Sequence, residues 1–221
     1  EIEHYRRKGQ LEKAFGIALE QKKLHPDDAD TLTILGKLLL AMGHTADAVA
    51  VYRDRVALLP TSPSAHLELA NVQMAAKDPV SASITLSKAL RLDPHYREAQ
   101  AALVAAELAQ NHTARALQIA LEVEKDLPQA PLGYVLEGDT LVATKRYAQA
   151  TTLYEKAYTL QKSALVATKI YNAWAGDGKP DQGETRLKEW LAEHPGDVET
   201  RRQLAYSRIQ RGKYALGIEQ Y

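Results

Sequence analysis

The chain has no cysteine. Disulfide frameworks, thiolate metal sites and cysteine nucleophiles are therefore excluded, while the redox compartment stays open. It has no excess of either charge: 28 Lys and Arg stand against 28 Asp and Glu. That balance counts against a general binder of nucleic acid or anionic membrane, which normally carries a basic surplus. No run of about 18 apolar residues occurs, so nothing reads as a transmembrane helix. Nine prolines and 45% hydrophobic residues in 221 exclude a wholly disordered chain.

Chemical motifs are lacking as well. The seven histidines (4, 25, 44, 66, 95, 112 and 194) are scattered, with no pair at i, i+4 and no HExxH. No strand is apparent, so no glycine-rich phosphate loop follows one. No catalytic, cofactor-binding or metal site is expected, and the chain reads as a non-enzyme.

What is present is a beat. Prolines stand at 26, 60, 94, 128 and 195, and Ala14, Ala48, Ala82, Ala116, Ala150, Gly183 and Gly217 follow one another at 34, 34, 34, 34, 33 and 34 residues. A fixed period of this length marks a stacked repeat. Between Pro26 and Pro60 two helices are expected, from about Asp30 to Met42 and from Ala46 to Leu58. Leu32, Leu35, Leu38 and Leu39 make an apolar stripe on the first, Asp27 or Asp28 offers its N-cap, and Gly43 ends it. Ser62–Pro63 and Asp78–Pro79 combine a cap with proline at the first helical position. Turns are expected at Asn111–His112, Lys145–Arg146, Gly176–Asp177–Gly178 and Gly212.

The reading is all-α, a right-handed superhelical solenoid of antiparallel helix pairs forming a single array over 1–221. Full repeats cover 29–62, 63–96, 97–130, 131–163 and 164–197, with partial repeats at 1–28 and 198–221. Gly36, Ala70, Gly138 and Ala205 are expected to face Ala48, Ala82, Ala150 and Gly217, with Tyr52, Leu86 and Tyr154 filling space against the next repeat. Gln100, Val104 and Glu107 make 97–130 degenerate. The repeat 131–163 is one residue short and places Glu137 where an apolar residue is usual. A paired structural role, with a tyrosine or lysine of the next repeat, stands beside a ligand-facing site shared with Asp139.

Leu32, Leu35, Gly36, Leu39, Gly43, Ala48, Tyr52 and Pro60, and again Tyr134, Gly138, Leu141, Tyr147, Ala150, Tyr154 and Ala157, resemble the tetratricopeptide repeat over the whole chain. The resemblance implies that a protein or peptide partner lies in a concave groove lined by first helices. The register places Thr33, Lys37, Leu40, Leu67, Asn71, Met74, Ala101, Ala105 and Leu108 there. It continues through Val135, Asp139, Val142, Thr168, Asn172, Tyr206 and Ile209. The alternative is that these residues only pack first helices together. Asn71 matches the carboxylate clamp of chaperone-binding relatives, but Leu67, Glu98 and Ala102 stand where that clamp needs cations, so that specialisation is rejected.

A narrower resemblance rests on Gly133–Tyr134–Val135–Leu136–Glu137–Gly138–Asp139, Lys145–Arg146–Tyr147–Ala148, Glu189–Trp190–Leu191, His194–Pro195–Gly196–Asp197 and Arg201 to Ala205. These are similar to the tetratricopeptide lipoproteins that accompany exosortase (PEP-CTERM) and exopolysaccharide systems. The resemblance implies a lipid-anchored cell-envelope protein, in periplasm or outer membrane, that assists export or assembly. A cytoplasmic adaptor for a soluble partner and a carbohydrate-binding solenoid are the alternatives. The last would need an exposed aromatic platform, from Tyr206, Trp174 or Trp190, of which both tryptophans are expected buried. The chain starts without methionine, as an excised segment would, and exposed end faces of a stacked array predict end-to-end self-association.

Overall fold

A computed structural model describes residues 1–218. It contains fourteen helices and, among the described residues, no strand. They are α1 (Ile2–Arg7), α2 (Leu11–Leu24), α3 (Ala29–Ala41), α4 (Thr45–Leu58), α5 (Pro63–Ala75), α6 (Pro79–Leu92), α7 (Arg97–Ala109), α8 (Thr113–Asp126), α9 (Pro131–Ala143), α10 (Tyr147–Leu160), α11 (Ala164–Gly176), α12 (Pro180–Glu193), α13 (Val198–Gln210) and α14 (Tyr214–Ile218). From α3 to α13, first helices of 13 residues alternate with second helices of 14. The helices gather in two compact units, Glu1–His112 and from Thr113 onward. The dividing point lies inside the expected repeat 97–130, between its two helices. In unit 1, α1 to α7 pack each on the next; in unit 2, α8 to α14 do the same.

Two turn types, each set by one residue, alternate along the chain. Within a repeat the first helix ends on a residue in the left-handed region: Gly9, Gly43, Lys77, Asn111, Lys145, Gly178 and Gly212, with φ between 60° and 80°. At each, two N–H groups reach back to helix carbonyls in the same pattern, as when Gly43 donates to Leu40 and His44 to Leu39. This is the Schellman end, which satisfies carbonyls the helix leaves open. Between repeats, proline occupies the second place of a β-turn. The N–H groups of Asp28, Ser62, Tyr96, Ala130 and Asp197 donate to the carbonyls of His25, Leu59, Asp93, Leu127 and His194 at 2.9–3.2 Å. The fourth residue of that turn is the N-cap of the next helix, and Asp28, Ser62 and Asp197 accept helix N–H groups with their side chains. The short repeat lacks this device. Between α10 and α11 only Gln161, Lys162 and Ser163 remain, and the missing residue is the turn proline.

The expected pairing of small residues is seen at Gly217, whose Cβ would lie 3.1 Å from the Ala205 carbonyl oxygen, whereas Gly36 and Gly138 meet a large ring. A Cβ on Gly36 would stand 2.4 Å from the Tyr52 ring, and one on Gly138 would stand 2.3 Å from the Tyr154 ring. The glycine of the first helix thus accommodates the tyrosine of its own second helix. Tyr52 and Tyr154 fill space inside their repeats and, as expected, also share core clusters with the next one, Tyr52 with Leu69 and Val72 and Tyr154 with Val166, Ala167 and Ile170. In repeat 63–96 the same two positions hold Ala70 and Leu86, both fully buried.

The degenerate positions acquire polar partners. Gln100 donates its amide to the carbonyl of Pro94 at 2.9 Å. His66, Tyr134 and Arg201, at the equivalent place in other repeats, meet the carbonyls of Pro60, Pro128 and Pro195. At these four turns the proline carbonyl is answered by a side chain six residues on. Buried Glu107 accepts the hydroxyl of Ser83 at 2.5 Å and faces His112 Nδ1 at 2.9 Å. Both Trp174 and Trp190 are half-buried where full burial was expected. Trp190 stacks on His194 at 3.7 Å and donates to Asp197, so the indole braces the repeat-end turn.

Candidate partner-binding face

In unit 1 the register residues divide by exposure. Lys37, Asn71 and Ala105, one repeat apart, are exposed, while Thr33, Leu40, Met74, Ala101 and Leu108 are half-buried. Thr33 returns its hydroxyl to the carbonyl of Ala29. Leu67 is buried, so its side chain is used in packing and offers a partner almost no surface.

In unit 2, Val135 is likewise taken into the core. Asn172 and Tyr206 are exposed, while Asp139, Val142, Thr168 and Ile209 are half-buried. The polar members are joined laterally. Lys169 on α11 binds Asp139 on α9 at 2.6 Å, and Asp139 also accepts the Tyr154 hydroxyl at 2.7 Å. Burial and the neighbouring carboxylate push the Tyr154 hydroxyl well above the usual tyrosine range, so it stays a neutral donor. Gln203 on α13 accepts from Thr168 at 2.9 Å and donates to Asn172 at 3.3 Å. These bonds fix the spacing of the first helices. Beyond them Tyr206, 61% exposed, borders a small hollow with Glu199, Arg202 and Gln203.

Asp139 and Glu137 do not form one site. Asp139 is held by Tyr154 and Lys169. Glu137 faces Glu124 of α8, and burial together with that neighbour raises its pKa above the ordinary carboxylate value, against the pull of Lys156 and Arg146. The expected tyrosine or lysine of the next repeat is replaced by a carboxylate of the preceding one. The cause is the close helix crossing at Gly133, whose Cβ would lie 2.5 Å from the Glu124 Cα. Glu137 sits one helical turn further along the same face.

Glu137 also forms part of a hollow that the first-helix register does not point to. In unit 2 a hollow of about 360 Å3 opens between α8 and α10 over a floor from α9, lined by Leu117, Glu137, Leu141, Arg146, Gln149, Thr152 and Leu153. In unit 1 a hollow of about 410 Å3 opens between α2 and α4 over α3, lined in part by Phe15, Leu35, Leu39, His44, Asp47, Ala50 and Val51. Each residue of the second set lies 102 residues, three times 34, before its counterpart. The hollow is a property of the repeat; its chemistry is set by substitution, with Leu35 in one floor and Glu137 in the other. Both were discoverable by stepping the sequence in units of 34 on the second helices as well as the first.

Among the described residues no group of three or more His, Cys, Asp or Glu is placed to hold a metal. No helix among them is long and apolar enough to cross a membrane.

Residues 29–72 and residues 133–163 each match a model described as tetratricopeptide repeat. No curated protein matches the chain. A thermophilic tetratricopeptide protein of Thermus thermophilus superposes with a TM-score of 0.66 at 17% identity, over 82% of this chain and 100% of that one. A tetratricopeptide repeat protein from Parabacteroides merdae gives 0.69 at 11% identity, over 99% and 87%. PilW, a widely conserved type IV pilus biogenesis factor, gives 0.62 at 15% identity, over 90% and 92%. These likenesses concern the fold. Residues 29–72 and 133–163 are tetratricopeptide repeats, and the packed helix pairs around them share the fold of tetratricopeptide proteins.

Proposed function

We propose that the chain is a non-enzymatic scaffold that holds a protein or peptide partner along its first helices. The observation that carries this reading is the exposed row at one repeat position: Lys37, Asn71 and Ala105 in unit 1, Asn172 and Tyr206 in unit 2. Hydrogen bonds between helices hold the row in unit 2; one of them takes the Asn172 side-chain oxygen, and none of the three involves Tyr206. A rigid, pre-spaced surface lowers the ordering cost of binding an extended segment. The setting we propose is the bacterial cell envelope, in export of exopolysaccharide or sorted proteins, supported by the similarity of 132–139 and 189–205 to lipoproteins of those systems. Crosslinking and pulldown with the full-length protein tests both levels. Lys37→Glu, Asn71→Ala, Asn172→Ala and Tyr206→Ala together should abolish capture of the partner while leaving the far-UV spectrum unchanged; undiminished capture would refute the face. Recovery of the full-length protein only in the cytoplasmic fraction would refute the setting.

A second reading, contact with the polysaccharide itself, is favoured by Tyr206. Its ring is the exposed aromatic of the three candidates and lies beside Glu199, Arg202 and Gln203, the mixture of ring face and hydrogen-bonding groups that sugars use. Quenching or shifting of Tyr206 signals by oligosaccharide, lost in Tyr206→Ala, separates this reading from the first.

A further inference from the structure

The outer face of α6 differs from that of the other second helices. Its exposed residues are Val80, Ile84, Lys88, Arg91 and Leu92, whose spacing puts them on one stripe of the helix. Val80 and Ile84, one turn apart, are 56% and 57% exposed. At the same two places α4 carries Ala46 and Ala50, α8 carries Ala114 and Gln118, and α10 carries Ala148 and Thr152. The rest of the stripe is cationic. The sequence of α6 contains no Asp or Glu, and among the described residues no carboxylate lies within ion-pair distance of Lys88 or Arg91. At the place of Lys88, α2, α4 and α8 carry Glu20, Asp54 and Glu122, so the sign of the charge is reversed on α6. The acids at its two ends, Asp78 and Asp93, each accept a backbone N–H, from Ser81 and His95. On α4, Asp54 is held by Lys22. Single exposed apolar residues are ordinary. A pair of them followed by cations without partners, along one stripe, offers a second helix both apolar contact and charge.

We propose that this stripe of α6 is a docking surface for an acidic amphipathic helix of a protein partner. Apolar side chains one turn apart on that helix pack on Val80 and Ile84, and its carboxylates meet Lys88 and Arg91. Charge selects the occupant: an acidic helix complements the two cations, whereas a basic one is repelled. A bilayer is the poorer fit, because two apolar side chains bury too little to hold a chain of zero net charge on a membrane surface. The surface belongs to a second helix, so the reading of the first-helix row stands or falls separately.

The test is a methyl NMR titration of the full 221-residue chain with a capped, alanine-based helical peptide. The peptide carries two leucines one turn apart and glutamates in the adjoining turns, and is made in both chain directions. Comparisons are the same peptide with lysine for glutamate, the same with serine for leucine, and phosphatidylglycerol vesicles. The glutamate peptide should shift the methyl signals of Val80, Ile84 and Leu92 and leave the exposed Leu24 and Leu160 unmoved. Lys88→Glu with Arg91→Glu should weaken binding about tenfold or more, through charge reversal. Ile84→Ser should weaken it as well. All three residues are exposed, so the fold should be retained in the same spectra. Five results would each overturn the proposal: no shift with the glutamate peptide in either direction, equal shifts with the lysine or serine peptide, equal shifts at Leu24 and Leu160, unchanged affinity in the variants, or binding of the vesicles in place of the peptide.

Discussion

Gly138→Ala adds a single methyl group, and the structure says where it goes. The new Cβ would lie 2.3 Å from Cε1 of Tyr154, where ordinary contact begins at 3.4 Å, an overlap of about 1.1 Å. The ring has no retreat: Tyr154 is 2% exposed and its hydroxyl is tied to Asp139 at 2.7 Å. Overpacking of this kind costs roughly 3 kcal/mol at the upper end, and alanine in a helix interior returns about 1 kcal/mol over glycine, so the variant should lose about 2 kcal/mol. Tyr154→Leu opens a gap in the same place and should lose about 2 kcal/mol by itself. The double variant restores the pairing that repeat 63–96 already uses, Ala70 with Leu86. It should therefore lose about 2 kcal/mol in total, roughly 2 kcal/mol less than the sum, within the range of coupling measured between residues in contact. Urea denaturation followed by circular dichroism, with the slope compared across all four proteins, gives the cycle. Additivity within about 0.5 kcal/mol would refute the claim that glycine and tyrosine are one packing unit.

Three further outcomes follow from the turns, the acid pair and the buried ions. Lys77 and Lys145 carry a Cβ at φ 60° where other repeats use glycine, so Lys77→Gly and Lys145→Gly should each stabilise by about 1 kcal/mol, or about 2–4 °C in Tm; calorimetry showing a loss would refute this, and Asn111→Gly should change little because asparagine tolerates the conformation. Glu137 has a raised pKa in the fold, so its contribution is fully present below the unfolded carboxylate value of about 4.3 and is lost as pH rises through the folded value. Glu137→Gln should therefore melt higher than the parent at pH 7 and converge with it at about pH 4; an equal gain at both pH values would refute the assignment. Glu184 is buried against Arg208 at 3.1 Å and meets Arg211 as well; Glu184→Ala should cost about 3–5 kcal/mol by leaving buried cations uncompensated, and replacing Glu184 and Arg208 together by Leu and Met should cost far less. Hydrogen exchange across α12 and α13 reads both.

The helix pairs were legible because their signals are local and repeated. Gly43 or Gly178 at a helix end, Ser62 or Asp78 at a helix start and proline at a repeat joint each act within a few residues, and a period of 34 multiplies each signal. Spacing cannot say which side chain answers a buried carbonyl or carboxyl. Gln100 reads as a defect at a bulky position until the Pro94 carbonyl is seen beside it. Leu67 and Val135 lie on the register of exposed residues, yet both are buried. A one-dimensional register places a side chain by angle and ignores how near the adjoining helix comes. The same limit misplaced the partner of Gly36, which depends on the reach of a tyrosine ring across the pair.

The substitutions that weaken the repeat as a pattern are the ones that distinguish its surfaces. An apolar residue at the place of Leu35 closes a floor; Glu137 at that place leaves a charge beside Glu124. An apolar residue at the place of Leu39 is silent, whereas Glu107 there binds Ser83 and His112. Stability in a stacked array comes from many equivalent contacts between neighbours, so the cost of one polar replacement is spread over a scaffold that tolerates it. A carboxylate kept at a packing position, facing a second carboxylate, has its charged form disfavoured even against the pull of Lys156 and Arg146. On the surface, Val80 and Ile84 stand where α4, α8 and α10 carry small or polar residues, yet both stay more than half exposed. That is the physical reason to look for partners at α6 as well as along the exposed first-helix row.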